Sequence, residues 1–185
     1  MKRLALAVVT VISCNLALAA EPAAYISAGL GPAEQKLSVD DFDISQTNTG
    51  VQIAGGYRFT PNVALELGYT NFGRAEISAQ GATVSSRPQS LHLAVMGTWN
   101  ATPKIAVTGK LGAARNHTRL EASEGGFSVS ETETHTSLVY GVGASYKFDQ
   151  DIAAFLEYQN FGKIIKGDGV DLKAHIVLVG IRYSY

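Results

Sequence analysis

Three residues in this sequence have types and spacing that could support catalysis: Glu133, His135 and Ser137 alternate along one predicted strand. A histidine two residues before a serine could act as general base beside a nucleophile. Alternation puts all three side chains on one face of the strand. We predict that this face lines the inside of a β-barrel or lies above the membrane that the barrel would span. An enzyme that hydrolyses lipid would need this pair to face lipid. We therefore interpret the three residues as a polar strand end and predict no catalytic residues.

Histidines could also hold a metal ion, because neutral imidazole is a common metal ligand. His117 and His135 flank the longest predicted loop. Alternation places His117 on the outward face of its strand and His135 on the inward face of the next, so the two rings should point apart. His92 and His175 have no evident partners. The sequence therefore predicts no metal site and no cofactor.

Charged residues form a further group on the less apolar faces of the predicted strands, among glycines. The group comprises Arg58, Glu66, Lys110, Lys147, Glu157 and Arg182. Charges that share a narrow interior must pair, because an unpaired buried charge is costly. We predict an interior charge network with two clusters. One is expected around Glu66, near Arg58 and Arg182, and the other around Glu157, near Lys110.

Eight strands of alternating apolar and polar residues must position these side chains. They are predicted at 25–37, 48–59, 63–77, 87–99, 105–118, 135–148, 152–165 and 174–185. Short turns follow the second, fourth and sixth strands, and longer polar loops follow the first, third, fifth and seventh. These loops are predicted at 38–47, 78–86, 119–134 and 166–171. The layout predicts an all-β fold, an eight-stranded antiparallel up-and-down transmembrane β-barrel, with a soluble barrel or sandwich as the alternative.

Aromatic residues at both ends of the strands favour the membrane. Phe59, Trp99, Phe148 and Tyr185 stand at the short-turn end, and Tyr69, Phe72, Tyr140, Tyr158 and Phe161 stand at the loop end. Two aromatic belts that bracket an aliphatic band are typical of the two membrane–water interfaces. An interior of eight strands is just filled by side chains. We therefore expect little or no ion flow.

The first 19 residues predict a secretory signal peptide. Met1-Lys2-Arg3 is positive, an apolar run follows, and Ala17-Leu18-Ala19 supplies small residues for cleavage after Ala19. A weaker alternative is a lipoprotein box that ends at Cys14. This cysteine is the only one, so the mature chain, 20–185, would hold no disulfide. The formal net charge of −1 gives no argument for nucleic acid.

At this point the sequence resembles the OmpA-type family of eight-stranded outer-membrane β-barrels, and its small, opacity-protein-like members in particular. The carriers are Tyr-Ile-Ser-Ala-Gly-Leu-Gly at 25–31, Gly-Tyr-Arg-Phe-Thr-Pro-Asn at 56–62, Leu-Gly-Tyr-Thr-Asn-Phe-Gly at 67–73 and Gly-Ile-Arg-Tyr-Ser-Tyr at 180–185. The resemblance implies residence in a Gram-negative outer membrane. It also implies insertion by the barrel-assembly machinery, which reads the terminal strand with Tyr183 and Tyr185. Many relatives end in Phe, and longer relatives continue into a peptidoglycan-binding domain.

For function, these observations predict a non-enzymatic outer-membrane barrel with a structural or adhesin-like role. Its partners would be outer-membrane lipid, the assembly machinery and an extracellular ligand held by the four loops. Both mature termini are predicted to lie in the periplasm, on the short-turn side. A small porin-like channel is the alternative function, and a lipid A-modifying enzyme is a weaker one.

Overall fold

The computed structural model describes residues 23–39, 42–79, 82–124, 127–167 and 170–185. The predicted signal peptide, with Cys14, lies outside these ranges, as does its predicted cleavage site. Within them, no helix is long and apolar enough to cross a bilayer. The described chain consists of strands joined by short turns.

Nine strand segments make up one sheet. They are β1 (Ala23–Val39), β2 (Phe42–Thr60), β3 (Val63–Asn71), β4 (Ala75–Ala79), β5 (Ala82–Asn100), β6 (Ile105–Glu124), β7 (Phe127–Lys147), β8 (Ile152–Gly167) and β9 (Val170–Ser184). All neighbours pair antiparallel in the order β3-β2-β1-β9-β8-β7-β6-β5-β4, and a β3–β5 pairing closes the sheet. Segments β3 and β4 together form one interrupted barrel strand. The predicted fold, a closed antiparallel barrel of eight strands, is confirmed.

The outer wall of the barrel is apolar because the strands alternate with period two. In β5, Leu93 and Val95 are about half exposed, whereas Ala94 and Met96 between and after them are buried in the lumen. Large aliphatic side chains on the other strands are exposed in the same way. An apolar outer wall with polar and charged side chains inside suits a bilayer as solvent.

The two ends of the barrel differ. Short turns at 61–62, 101–104 and 148–151 join the strands at one end, here named the turn end. In two of these turns a threonine hydroxyl accepts a backbone hydrogen bond, Thr60 from Val63 at 3.0 Å and Thr102 from Ile105 at 2.9 Å. The opposite end is named the loop end.

The strands reach much further at the loop end than the sequence analysis predicted. The predicted loops 38–47, 78–86, 119–134 and 166–171 are for the most part paired strand, and only 40–41, 80–81, 125–126 and 168–169 remain outside the described residues. The prediction of long loops was wrong because a hairpin ladder needs only paired backbone groups. Beyond the bilayer, both faces of such a hairpin can carry polar side chains.

At the loop end the barrel opens into two flaps. The β2–β3 ladder ends at the pair Val51–Asn71, and the β7–β8 ladder ends at Tyr140–Asn160. Beyond these pairs, β2, β1, β9 and β8 remain hydrogen-bonded as one flap, and β4, β5, β6 and β7 as the other. Both openings coincide with an Asn-Phe-Gly sequence, at 71–73 and 160–162.

The two Asn-Phe-Gly motifs share one geometry. The side-chain oxygens of Asn71 and Asn160 accept hydrogen bonds from the backbone N–H groups of Gly73 and Gly162, at 2.9 and 2.8 Å. Both glycines have positive φ, 83° and 62°, a conformation that glycine adopts without strain. After Gly162 the alternation slips by one residue, so the next buried side chain is Ile164.

The phenylalanines of these motifs fill the lumen. Phe72 and Phe161 are fully buried and meet edge to face, with ring centroids 5.0 Å apart. Their prediction as members of an aromatic belt was wrong. Phe72 lies six residues after the inward residue Glu66, and Phe161 lies four residues after the inward residue Glu157, so period-two alternation turns both rings into the lumen. The loop-end half of the lumen therefore holds an apolar core, which also includes Val139, Ile164, Leu172, Ile176 and Leu178. Buried polar side chains such as Ser90, Asn116 and Thr118 lie in the same half.

Candidate functional site: an ion-pair network inside the barrel

The turn-end half of the lumen is charged. Glu66 on β3, Lys110 on β6, Glu157 on β8 and Arg182 on β9 all occupy inward positions and are at most 6% exposed. Glycines next to them make room. A Cβ on Gly68 would collide with the His92 ring, and one on Gly56 with the Tyr25 ring. The four charged residues are named here the plug.

Lys110 stands at the centre of the plug. Its Nζ lies 2.6 Å from Glu157 Oε1 and also donates to Glu66 Oε1. The side chains of all three residues are no more than 3% exposed. Such charge-assisted hydrogen bonds are stronger than neutral ones. One ammonium therefore joins two carboxylates that belong to strands on different sides of the barrel.

Neutral side chains also donate hydrogen bonds to both carboxylates. The Tyr25 hydroxyl donates to Glu66 Oε2 at 2.8 Å, and the Gln159 amide donates to Glu157 Oε1 at 2.6 Å. His92 Nε2 lies 3.7 Å from Glu66 Oε1, which is too long for a hydrogen bond. Glu66 thus has a partner on each carboxylate oxygen, whereas the two described partners of Glu157 share Oε1. Both buried charges are hydrogen-bonded, as buried charges require.

Arg182 balances the charge of the plug without touching a carboxylate in the described contacts. Its guanidinium carbon lies 4.8 Å from the Tyr25 ring centroid and 5.5 Å from that of Phe155, at cation–π distances. Its Nη2 also lies 3.8 Å from the Met96 sulfur. Two acidic and two basic groups give a formal charge of zero when His92 is neutral.

The remaining two residues of the predicted network lie nearer the turn end. Arg58 is half-buried, donates to Ser184 Oγ at 3.0 Å and stacks 5.1 Å from the Tyr25 ring centroid. Lys147 is exposed at the end of β7, so its prediction as an interior residue was wrong. Inward parity does not bury a side chain at the mouth of a barrel, where water is in reach.

The grouping of the charges also differs from the sequence analysis, which predicted two clusters. Lys110 contacts both Glu66 and Glu157, so the plug is one cluster. Tyr25 and Gln159 also belong to the network, although neither was among the predicted residues. Their inward parity in β1 and β8 was the available signal, but neither side chain is charged, and the predicted network comprised charged residues alone.

The residues considered for catalysis and metal binding lie near the loop end. The Ser137 hydroxyl donates to the Phe161 carbonyl at 2.6 Å and accepts from the Asn116 amide at 2.7 Å. His135 is half-buried and Glu133 exposed. His117, on the outward face, lies 2.9 Å from the Thr134 hydroxyl through Nδ1. The serine is thus held by structural hydrogen bonds inside the barrel.

One further histidine, His175, lies at the loop end of β9. His175 has a partner that the sequence analysis missed, since its Nε2 lies 3.3 Å from Glu34 Oε2.

On the outer wall, aromatic side chains lie near both ends of the barrel. Phe59, Trp99, Phe148, Tyr183 and Tyr185 are exposed towards the turn end, Tyr69 and Tyr140 are exposed nearer the loop end, and Tyr158 is partly exposed there.

Comparisons with known proteins agree with this architecture. The family model described as the OmpA-like transmembrane domain matches residues 19–185. Outer membrane protein P5 of Haemophilus influenzae is 32% identical over 117 residues, 58% of this chain and 33% of that protein. Outer membrane protein A of Salmonella typhi is 26% identical over 148 residues, 79% of this chain and 42% of that protein. The chain thus spans less than half the length of these relatives.

Solved structures share the fold at lower identity. Ail of Yersinia pestis, in complex with the heparin analogue sucrose octasulfate, has a TM-score of 0.61 at 19% identity and covers 89% of this chain and 100% of its own. Neisserial surface protein A has a TM-score of 0.58 at 21% identity, with the same coverage. Both likenesses concern the fold alone.

Proposed function

The chain belongs to the OmpA-like transmembrane domain family, and from this membership we propose that it is a non-catalytic, non-conducting outer-membrane barrel with a surface role. The observation that carries the proposal is the filled lumen. The plug occupies its turn-end half, and the apolar core around Phe72 and Phe161 occupies its loop-end half. The interior of an eight-stranded barrel is just wide enough for side chains to fill.

The orientation in the membrane is part of the proposal. The turn end, which carries the first residues of β1 and the last residues of β9, would face the periplasm, and the loop end would face the outside. The support is the asymmetry between three short turns and four extended hairpins, which is the pattern of outer-membrane barrels. The two flaps would then stand clear of the membrane, where they could contact ligands or other cells.

The surface role rests on the same asymmetry and on one precedent. Residues that bind partners are commonly carried by loops on a rigid scaffold, and here the ladders of the barrel continue into those loops. Ail, which shares the fold, was crystallised with a heparin analogue. That precedent supports a test of sulfated polysaccharides, among other surface molecules, as ligands of the flaps.

The alternatives from the sequence have less support. A porin-like channel needs a water-filled path, whereas Lys110, Glu66 and Glu157 join opposite sides of the lumen. A lipid A hydrolase that used His135 and Ser137 would need the serine to face lipid. The Ser137 hydroxyl instead donates to the Phe161 carbonyl inside the barrel.

Conductance of the purified protein in a planar bilayer tests the proposal. We expect no steady open state at voltages that a known porin, added to the same membrane as a positive control, passes freely. Folded protein must be shown in the same preparation by its faster gel migration before heating. A stable, large-conductance open state of the unmodified protein would refute the non-conducting function and favour the channel.

A further inference from the structure

The outer wall of the barrel carries an apolar groove with a volume of about 630 Å³. It extends across β9, β1, β2 and β3 to Leu91 on β5. Ala28 and Gly55 form its floor because they present little or no side chain outward. Larger aliphatic and aromatic side chains stand around them: Ile26, Ile53, Leu67, Tyr69, Ile181 and Tyr183.

A smaller, polar cavity of about 170 Å³ adjoins this groove on the loop-end side. Gln89, Arg115 and His117 line it, and they share it with Tyr69 and Leu91, which also line the groove. The Thr134 hydroxyl lies 2.9 Å from His117 Nδ1. When that hydroxyl donates, the ring proton resides on Nε2, which is then a donor.

The barrel itself joins the two cavities through one outward row of paired residues. Consecutive partners across the sheet are Ile181, Ala28, Ile53, Tyr69, Leu91 and Arg115. Ile181 lies three residues from the turn end of β9, whereas Arg115 lies ten residues from the turn end of β6. Because strands of a barrel are tilted, successive residues of this row lie progressively nearer the loop end. The row runs from the aliphatic groove to the Arg115 cation.

We propose that this surface binds one phosphate-bearing, multiply acylated saccharolipid of the outer leaflet, a lipid of the lipid A class. Arg115 and His117 would hold a phosphate, a group that guanidinium binds through two parallel hydrogen bonds. Gln89 and the Tyr69 hydroxyl would meet sugar hydroxyls, and an acyl chain would lie in the groove. The site rests on the orientation given under the proposed function, which brings Arg115 and His117 to the outer leaflet.

The arrangement favours this lipid over a soluble anion or a phospholipid. A soluble anion would occupy only the cavity that contains Arg115. It would leave the adjoining apolar groove empty, and the two share Tyr69 and Leu91. A phospholipid would offer the phosphate and the chains but no sugar hydroxyls for Gln89 and Tyr69. A phosphorylated saccharolipid uses the Arg115 cation, the neutral polar groups and the groove together.

The test measures binding of bisphosphorylated lipid A to the purified, folded barrel in detergent micelles by native mass spectrometry. Arg115→Gln removes the cation, and Gly55→Leu fills the groove, where a Cβ would meet nothing closer than 3.9 Å. Lys173→Gln is the matched control for charge, since Lys173 is also exposed at the loop end. Gly109→Leu is the control for the groove, because a Cβ there has nothing within 4 Å.

We expect one bound lipid A per barrel. Arg115→Gln should bind it about tenfold more weakly, as loss of a charge-assisted contact predicts, and Gly55→Leu should bind it more weakly because the new side chain fills the groove. Both controls should bind as the unmodified protein does. Equal binding by all five proteins would overturn the site, as would equally tight binding of phosphatidylglycerol or displacement of lipid A by heparin. Since micelles impose no orientation, failure here leaves the conductance and orientation of the barrel untouched.

Discussion

Replacing Lys110 by methionine should be the most damaging single change to the plug. Methionine keeps most of the length of the side chain and removes the ammonium group. Glu66 then retains the Tyr25 hydroxyl and Glu157 retains the Gln159 amide, but both carboxylates lose their shared cation. The formal charge of the plug changes from zero to −1.

The expected loss of stability follows from the burial of the partners. Removing one partner of a buried ion pair typically destabilises a protein by about 3–5 kcal/mol, because it leaves an uncompensated charge. Here all three side chains are at most 3% exposed, so solvent can screen little of the effect. We expect the free energy of unfolding to fall by about 4 kcal/mol.

Urea unfolding from lipid vesicles, followed by tryptophan fluorescence, measures this change. Trp99 is the single tryptophan and is exposed on the outer wall, so its emission reports whether the barrel is in the bilayer. With a urea slope of about 2 kcal/mol per molar, the midpoint should fall by about 2 M. The control is Lys147→Met, at an exposed position, which should change stability by about 0.5 kcal/mol or less.

A double-mutant cycle separates the ion pair from general effects of the substitution. Glu157→Gln added to Lys110→Met removes one of the two uncompensated carboxylates, so the double variant should lose less than the sum of the single losses. The expected coupling is about 0.5–3 kcal/mol. If Lys110→Met lost no more stability than Lys147→Met, or if the two changes were additive, the reasoning about the plug would be wrong.

Two more predictions concern the orientation and the Asn-Phe-Gly motifs. A cysteine at Thr47, exposed on the loop-end side, should react with an impermeant maleimide on intact cells. A cysteine at Asn100, exposed at the turn end of β5, should react only after the outer membrane is permeabilised; the reverse pattern would refute the orientation. Gly162→Ala should lower the unfolding free energy by about 1–2 kcal/mol because its φ is positive. Gly73→Ala should lower it further, since a Cβ there would lie 2.9 Å from the Thr49 carbonyl oxygen; equal stability of both variants and the unmodified protein in the urea assay would contradict this.

The sequence by itself determined the faces of the strands and the class of the fold. Period-two alternation is a local property, so Leu93 and Val95 could be assigned to the outer wall and Glu66 to the lumen without knowledge of any other strand. The number of alternating stretches likewise determined the number of barrel strands. Both depend only on residues that are neighbours in the chain.

Tertiary structure decided which inward side chains meet. Lys110 contacts Glu66, 44 residues away, and Glu157, and the tilt and stagger of the closed sheet bring all three to one level. The structure also decided where alternation fails. The positive φ of Gly162 shifts β8 by one residue, so that Ile164 is buried and Lys163 is exposed, and a slip of one residue turns every later side chain to the opposite face.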